Sequence, residues 1–406
     1  MRGEFELKTG MRLLHVIHSV NPVGGGPIEW IWQLAAIHSQ AGHDVSVACL
    51  DSPRAPWLGR NPIPVFALGP GIFKYGWTPK FVPWLREYSE NVDAVVAHGL
   101  WQYGSFGVWR VLRNGAIPYF VLPQGMLDPW FKRRYPLKHL KKLLYWPWAE
   151  YRVLRDARAV LFTAEEEMLQ ARKSFWPYRC RERVVPMGIT PPQGDAAHFR
   201  EAFFKQYPQL AGKRLILFLG RIHEKKGCDL LLRAFAEVAP QYPDLHLVMA
   251  GPDQVGWQGR LQELCATHGI SGRVTWPGML TGDLKWGALH AAEVFALISF
   301  QENFGLAVVE ALACGTPVLI SYAINIWREI AAADAGFVEA PGQEGACRLL
   351  KRWLETGDSN RSTMRSNARR CFEKHFDAGR AAELFLQTLN ECGVGTRTSK
   401  NEPIKR

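Results

Sequence analysis

Short apolar runs alternate with amphipathic segments along nearly the whole chain. Runs of this length are typical of strands buried in a parallel sheet, and the segments between them are long enough for helices. In the first half, the pattern predicts a helix at residues 27–41, with Pro27 in its first turn. The strands predicted there are residues 13–18, 44–50, 92–97, 118–122 and 159–163.

The same alternation restarts in the second half. Residues 188–213, rich in Pro, Gly and Ala, are predicted to be an irregular linker between the halves. After it we expect strands at residues 215–219, 246–250, 274–276, 294–299 and 318–320, and helices at 229–238, 260–268 and 305–313. The tail from about residue 346 to 392 is predicted to be helical. This order predicts an α/β protein of two Rossmann-like, doubly wound lobes whose parallel sheets face a central cleft.

The length, net charge and cysteine content of the chain exclude only a few functional classes. The 406 residues suffice for two domains, and the net charge of +11 suits nucleic acid, an anionic membrane or phosphorylated substrates alike. The eight cysteines include no C-x-x-C pair, which argues against a disulfide framework or a zinc site. No apolar run is long enough for a spanning helix. Residues 1–10 lack an apolar signal core and are interpreted as a native extension or an added leader.

Two glutamates bracket a predicted strand-to-helix junction in the second half. Glu302 precedes the helix at residues 305–313 and Glu310 lies within it. Between them, the backbone amides of Asn303, Phe304 and Gly305 lie at the positive end of the helix dipole, which favours an anion. Because carboxylates bind hydroxyl groups and amides bind phosphate, the segment predicts a site for a sugar nucleotide.

A basic loop about eighty residues earlier supports the same interpretation. Arg221 and Lys226 follow the strand predicted at residues 215–219, and α/β sheets bind ligands at the carboxyl ends of their strands. A guanidinium can grip a diphosphate with two parallel bonds, and a lysine adds a point charge. A solvated basic loop is the alternative.

The G-R-x4-K-G pattern ending at Gly227 and the E-x7-E pattern of Glu302 and Glu310 together resemble the retaining glycosyltransferases of family 4, of the bacterial polysaccharide-biosynthesis type. The resemblance runs from about residue 11 to 376 and implies the GT-B fold. It implies an N-terminal acceptor-side domain at 11–187, a nucleotide-sugar domain at 188–372, a helix at 373–392 that returns to the first lobe, and a disordered tail at 393–406.

The resemblance also implies roles for single residues. Arg221 and Lys226 would bind the diphosphate and stabilise the leaving group, Glu310 would bind the ribose, and Glu302 would bind the transferred sugar. Gly25 and Gly26, in the glycine run before the first helix, would face the nucleotide-sugar donor, and His98 would contact the sugar near its reacting carbon. The full set is: catalytic, His98, Glu302, Arg221 and Lys226; donor-binding, Gly25, Gly26, Arg221, Lys226, Asn303, Phe304, Gly305 and Glu310. No metal and no cofactor is expected.

Residues 130–158 hold nine Lys or Arg and two acids, with aromatic residues between them. The segment could lie on an anionic membrane, bind a lipid-diphosphate acceptor, or be a solvated helix. We place Lys138, Lys141, Lys142 and Trp101 on this acceptor or membrane side. The adjoining P-Q-G-M-L-D-P-W segment resembles a motif of polysaccharide glycosyltransferases, except that Gln124 stands where His or Arg is expected.

The sequence therefore predicts a cytoplasmic, metal-independent, retaining glycosyltransferase. It would move a hexose from a nucleotide diphosphate sugar to a glycan, lipid-linked in the favoured version, in surface polysaccharide synthesis. Peripheral attachment to the inner face of the plasma membrane is a further hypothesis, and nucleic acid is not expected as a partner. Four alternatives stay open: a non-catalytic sugar- or nucleotide-binding protein, a membrane- or polyanion-binding module centred on 130–158, a glycosidase carboxylate pair, and a nicotinamide enzyme with Asp51 as its ribose-binding acid.

Overall fold

The computed structural model describes residues 10–24, 26–59 and 61–395. The chain divides into two compact units. The first runs to Gly188 and resumes at Ala378, and the second is Ile189–Asp377. The predicted leader at 1–10 and tail at 393–406 lie almost wholly outside the described residues.

The first unit is a seven-stranded sheet in the order β3-β2-β1-β4-β5-β6-β7, and all of its strand pairs are parallel. Its strands are β1 (Arg12–Ile17), β2 (Asp44–Cys49), β3 (Val65–Ala67), β4 (Ala94–His98), β5 (Tyr119–Leu122), β6 (Ala159–Phe162) and β7 (Glu182–Val184). Its helices are α1 (Gly26–Gln40), α2 (Phe81–Tyr88), α3 (Tyr103–Leu112), α4 (Trp130–Arg134), α5 (Pro136–Tyr145), α6 (Glu150–Asp156) and α7 (Glu165–Ala171).

The second unit is a six-stranded parallel sheet in the order β10-β9-β8-β11-β12-β13. Its strands are β8 (Arg214–Leu219), β9 (Leu245–Ala250), β10 (Val274–Gly278), β11 (Val294–Leu297), β12 (Val318–Ser321) and β13 (Gly336–Glu339). Its helices are α8 (Ala196–Gln206), α9 (Cys228–Val238), α10 (Gln258–Thr267), α11 (Gly282–Ala291), α12 (Leu306–Ala313), α13 (Trp327–Ala332), α14 (Gln343–Glu355) and α15 (Asp358–His375).

The prediction of two doubly wound, Rossmann-like lobes is confirmed. The central strands are mostly apolar because helices cover both faces of each sheet; β4 and β9, for example, are buried along their whole length. In both sheets the strand order reverses between the first strand and the fourth, β1 beside β4 and β8 beside β11. Ligands of such sheets bind outside the carboxyl ends of the strands at this switch point.

The predicted irregular linker at 188–213 is wrong over much of its length, because it contains α8. Asp195 caps this helix by accepting a bond from the Ala197 amide at 3.1 Å. Phe199 and Phe203 are buried against α11 at Gly287, where a side chain would overlap the Phe199 carbonyl. The prediction failed because Pro and Gly are concentrated at the ends of residues 188–213, whereas the middle of this segment has the apolar spacing of a helix.

The helical tail divides into three helices rather than one run. The last of them, α16 (Ala378–Glu391), belongs to the first unit, where it packs on α1. His38 of α1 contacts the Ala382 carbonyl through its Nε2 at 3.0 Å, and Phe385 lies buried beside the His38 ring. Strands β3 and β7, at the two edges of the first sheet, were not predicted. Each has only three residues, and two of the three in β7 are charged.

Candidate functional site

The switch point of the second sheet brings the two predicted motifs together. Arg221 and Lys226 lie in the loop after β8, and Glu302 lies in the loop after β11. Lys226 Nζ forms an ion pair with Glu302, and both side chains are largely buried, with 13% and 21% of their surfaces exposed. Arg221 is exposed beside them. A cation, a carboxylate and a guanidinium thus share the crevice where parallel sheets bind ligands.

Backbone contacts fix these two loops to each other. The Phe300 amide donates to the Lys225 carbonyl at 2.8 Å. Gly227 adopts a left-handed conformation (φ 64°) directly against Ile298, and a Cβ there would overlap the Ile298 carbonyl oxygen. The G-R-x4-K-G pattern therefore ends in glycine because the backbone turns left-handed where it touches the neighbouring strand's exit.

The environment of Lys226 destabilises the charged form of its ammonium group. Burial lowers its pKa, and the nearby charges of Lys225 and Arg221 lower it further. The Glu302 carboxylate opposes this effect by contacting the ammonium group.

The backbone amides of Asn303, Phe304 and Gly305, predicted to favour an anion, lie directly before α12. Gly305 is its N-terminal cap with φ 76°, and Phe304 is buried with its ring against Phe376. Asn303 accepts a bond from Asn325 at 3.2 Å, and the Glu302 carbonyl accepts one from the Asn325 amide at 3.1 Å. The loop after β12 thus supports the segment from Glu302 to Gly305.

Glu310 has a partner that the sequence did not indicate. Its Oε1 lies 2.7 Å from Nζ of Lys285, in α11, and the two side chains are 15% and 25% exposed. Lys285 also lies over the ring of Trp286, 4.9 Å from the ring centroid. No spacing rule connects Lys285 with Glu310, because their proximity depends on α11 and α12 being neighbours in space. Each predicted glutamate therefore has its own lysine.

In the first unit, the loop after β1 carries the glycine run. Gly26 opens α1, whereas Gly25 lies outside the described residues. Asp51, at the end of β2, holds this loop by accepting bonds from Ser19 Oγ at 2.7 Å and the Val20 amide at 2.8 Å. Asp51 is the acid on which the alternative of a nicotinamide enzyme depended. In the structure, its carboxylate supports the loop after β1.

His98 ends β4 and is buried, with 3% of its surface exposed. Its Nε2 lies 2.8 Å from Nδ1 of His15, in β1, and its Nδ1 lies 3.2 Å from Nε2 of Gln124. Burial lowers the pKa of His98 to about 3 and that of His15 well below its usual value, so both rings are neutral. If the Gln124 amide donates to His98, the His98 ring carries its proton on Nε2 and donates to His15.

Both ring nitrogens of the predicted catalytic His98 therefore have protein partners. Gln124, which is only half-buried, is the more accessible polar group of the three. Gln124 and Trp101 both have positive φ, at 52° and 66°, directly after β5 and β4. Such backbone persists only when the surroundings hold it, and it is concentrated at functional sites.

Two buried glutamates that the sequence did not single out hold these turns. Glu150 accepts a bond from the Trp101 amide at 2.7 Å, and burial raises the pKa of Glu150 to about 8. Glu167 accepts bonds from the Gly125 amide at 2.6 Å and from the amide and hydroxyl of Thr163 at 2.7 Å each. Glu150 and Glu167 are therefore positioning residues at the carboxyl end of the first sheet.

The predicted acceptor-side residues separate into two environments. Lys142 lies half-buried over the ring of Trp101, with Nζ 4.3 Å from the ring centroid, and burial lowers the pKa of Lys142 to about 8. Lys138 and Lys141 are exposed on α5, and Lys138 lies 4.8 Å from the centroid of the Tyr135 ring. Trp101 belongs to an aromatic cluster with Tyr145, Trp146 and Phe175.

Family models match both units. The model described as "Glycosyl transferases group 1" matches residues 199–371, which hold Arg221, Lys226, Glu302 and Glu310. The model described as "Glycosyl transferase 4-like domain" matches residues 25–188, which hold His98 and the basic helices. This chain belongs to the group 1 glycosyltransferases. The predicted membership of the family 4 glycosyltransferases is thereby confirmed.

Related glycosyltransferases resemble the chain over different lengths. It is 33% identical over 217 residues to D-inositol 3-phosphate glycosyltransferase of Nocardia farcinica, an alignment of 52% of this chain and 45% of that protein. The match thus spans less than half the length of that relative. Sucrose-phosphate synthase of Thermosynechococcus elongatus superimposes with a TM-score of 0.74 at 19% identity, covering 94% of this chain and 98% of that one.

A second solved structure has the same fold. HepE of Anabaena, in complex with UDP and glucose, superimposes with a TM-score of 0.70 at 19% identity, covering 94% of this chain and all of that one. The predicted GT-B fold is confirmed by these likenesses. Among the described residues of this glycosyltransferase, no group of His, Cys, Asp and Glu is arranged as a metal site. None of its described helices has the length and apolarity needed to cross a bilayer.

Proposed function

We propose that this glycosyltransferase transfers a hexose from a nucleotide diphosphate sugar with retention of anomeric configuration and without a metal ion. The observation that carries the proposal is the pairing of Lys226 with Glu302 at the switch point of the second sheet, with Arg221 beside them. The complex of HepE with UDP and glucose supports it by analogy of fold.

The charges suit a diphosphate leaving group. Arg221 and Lys226 would stabilise the negative charge that develops on the departing nucleoside diphosphate, which is the task that a metal performs elsewhere. A diphosphate would compete with Glu302 for Lys226 and free the Glu302 carboxylate to accept bonds from sugar hydroxyls. The amides of Asn303, Phe304 and Gly305 would add donors at the start of α12. Glu310 would bind the ribose while paired with Lys285.

The surroundings of the candidate acid and base groups support retention. Glu302 and Glu310 both carry lysine partners, and His98 is neutral with both ring nitrogens bonded. In the proposed reaction, the departing phosphate oxygen takes the proton of the attacking hydroxyl on the same face of the sugar. We propose that His98 acts by orienting Gln124, and that Gln124, Gly25 and Gly26 contact the donor or acceptor.

We further propose that the acceptor is a lipid-linked glycan of surface polysaccharide synthesis and that the enzyme works at the inner face of the plasma membrane. The basic and aromatic α4 and α5 of the first unit support this assignment. Lys138, Lys141, Lys142 and Trp101 would serve this acceptor side. Polysaccharide synthesis itself rests on the resemblance of the P-Q-G-M-L-D-P-W segment.

The experiment that tests the donor site is thermal shift with UDP, GDP and ADP and their hexose conjugates, with chelator present. Arg221→Gln is the informative variant because the exposed Arg221 side chain can be replaced without emptying a buried position. Arg233→Gln, at an exposed position of α9, is the matched control. Stabilisation by one nucleotide series that Arg221→Gln alone loses would support the site, and no shift at millimolar ligand would refute it. With the donor so identified, the anomeric configuration of the product, measured by NMR, tests retention.

A further inference from the structure

A small groove in the first unit lies outside the residues assigned to the donor. It is formed by α4, α5 and the segment at Ser174 and Phe175, and it encloses about 60 Å³. Three lysines line it, Lys132, Lys138 and Lys142, together with aromatic side chains including Phe131 and Phe175. Its volume equals about two water molecules, which suits one compact group rather than a sugar chain.

The three lysines give this groove an unbalanced positive charge. Among the described residues, no carboxylate forms an ion pair with Lys132, Lys138 or Lys142. Asp128 also lines the groove and offsets part of this charge, and its Oδ1 accepts a bond from the Trp130 amide at 2.8 Å at the start of α4; the lysines still outnumber the acids of the lining. Buried Glu150 interacts with Lys142 through space while its Oε1 is bonded to the Trp101 amide.

Because Lys142 is half-buried, the excess of positive charge in the groove raises the free energy of its charged form. Burial lowers the pKa of Lys142, Glu150 opposes this shift, and the charge of Lys138 adds to it. Burial, and then the charges of Lys132 and Lys142, lower the pKa of His139 in the same groove. A partly desolvated cation is stabilised when an anion pairs with it. The groove is therefore complementary to a small anion bearing more than one negative oxygen.

An exposed apolar stripe adjoins the groove on α5. Leu137, Leu140 and Leu144 are 78%, 57% and 73% exposed, and their spacing of three and four residues places them on one face of the helix. Trp148, one turn further, is half exposed. A contiguous exposed apolar surface next to unpaired cations is typical of a surface that meets a lipid.

We propose that this groove binds the phosphate group of a lipid, with the leucine stripe (Leu137, Leu140, Leu144) against the apolar chain or the bilayer surface. The inference rests on the proposed function in that it locates the phosphate of the lipid-linked acceptor. The stripe is what favours a lipid phosphate over a soluble one, because a free phosphate would leave these leucines without a role.

Vesicle co-sedimentation of the full chain tests the groove. We expect binding to phosphatidylcholine vesicles that contain phosphatidic acid and little binding to phosphatidylcholine alone. The variant Lys132→Gln/Lys138→Gln removes two charges inside the groove, whereas Arg133→Gln/Arg152→Gln removes two exposed charges outside it and outside the residues assigned to the acceptor. A general electrostatic surface would lose about fivefold per charge in both variants alike. The groove predicts that the first variant loses at least about tenfold more affinity than the second.

The leucine stripe is tested separately. Leu140→Ser/Leu144→Ser should lower vesicle binding about tenfold or more, because two exposed apolar side chains leave the lipid. Equal losses in the two charge variants, or no binding of wild type to phosphatidic acid vesicles, would overturn the proposal. Full competition by glycerol phosphate or by a mixed-sequence RNA would overturn the lipid assignment. The nucleotide-sugar thermal shift should persist in all these variants, so failure of the groove and failure of the donor site give different results.

Discussion

At the switch point of the second sheet, charged side chains meet in pairs, Lys226 with Glu302 and, one helix away, Lys285 with Glu310. At the same place in the first sheet, neutral groups meet: His15, His98 and Gln124 form a buried chain of hydrogen bonds. Both sheets share one strand order. The architecture thus fixes where side chains converge, while the loops decide whether the site is charged or neutral.

The loops are also held by different means. After β8, Gly227 lets the backbone touch Ile298 without a side chain between them. After β1, β4 and β5, buried or half-buried carboxylates do this work, with Asp51, Glu150 and Glu167 each accepting bonds from loop amides. Acidic residues near the first site thus support loop backbone, whereas Glu302 and Glu310 near the second pair with lysine side chains.

The largest effect is expected at Gly227. Gly227→Ala combines an unfavourable φ with overlap of the Ile298 carbonyl, so the loss of unfolding free energy should exceed about 3 kcal/mol. The control is Gly212→Ala, which has φ 76° but open space around it and should lose about 1 kcal/mol. Denaturant unfolding of both variants checks this. Equal losses would show that the contact with Ile298 adds nothing to the strain.

Removing the buried cation is expected to affect catalysis next most strongly. Lys226→Met should lower kcat/KM for the nucleotide sugar by about 10²–10³-fold, because charge on the leaving group loses its partner. Lys225→Met, at the adjoining position, should lower it by less than about threefold, since a charge farther from the leaving group is screened more strongly. Steady-state kinetics with the nucleotide sugar identified by thermal shift provide the measurement. Similar losses in both variants would mean that the loop acts only through its total charge.

The sequence predicted the second site better than the first for a physical reason. Glu302, Glu310, Arg221 and Lys226 lie in two continuous segments whose spacing is visible along the chain, and the structure brings Lys226 and Glu302 into contact. Lys285, His15, Glu150 and Glu167 lie far in sequence from the groups they contact. Their role depends on which helices and strands are neighbours, so no local pattern reveals it.

The fold shows the same limit on a larger scale. Apolar runs predicted the buried central strands within one or two residues, because burial on both faces leaves a strong signal. The helix α8 was missed because Pro and Gly at the ends of its segment obscured the apolar positions Phe199 and Phe203, which pack at Gly287 of α11. The edge strand β7 is largely exposed and carries little apolar signal, and β3 is only three residues long.

The neutral histidines of the first unit predict sensitivity to acid. Burial lowers the pKa of His38 to about 4, below its value in the unfolded chain, so the unfolded state binds more protons between pH 6.5 and 4. Its contribution to stability is complete above pH 6.5 and falls as the pH approaches 4, by about 3 kcal/mol for this residue. His38→Gln should flatten the dependence of unfolding free energy on pH, and His198→Gln, at a position 67% exposed, should not. An unchanged slope in His38→Gln would contradict the neutral state of this histidine.

The smallest effect on stability is expected for the Lys285–Glu310 pair. Variants of this pair test whether Glu310 contacts the nucleotide while Lys285 only orients Glu310. Both side chains are partly exposed, so the pair should contribute only about 1 kcal/mol to stability, measurable in a double-mutant cycle of Lys285→Met and Glu310→Gln. If Glu310 binds the ribose, Glu310→Gln should weaken nucleotide binding more than Lys285→Met does, because the carboxylate contacts the ligand and the lysine only orients it. Nucleotide titration of the four proteins by calorimetry decides this. Greater weakening in Lys285→Met would assign the contact to the lysine, and the charged site of the second unit would then bind its ligand through cations alone.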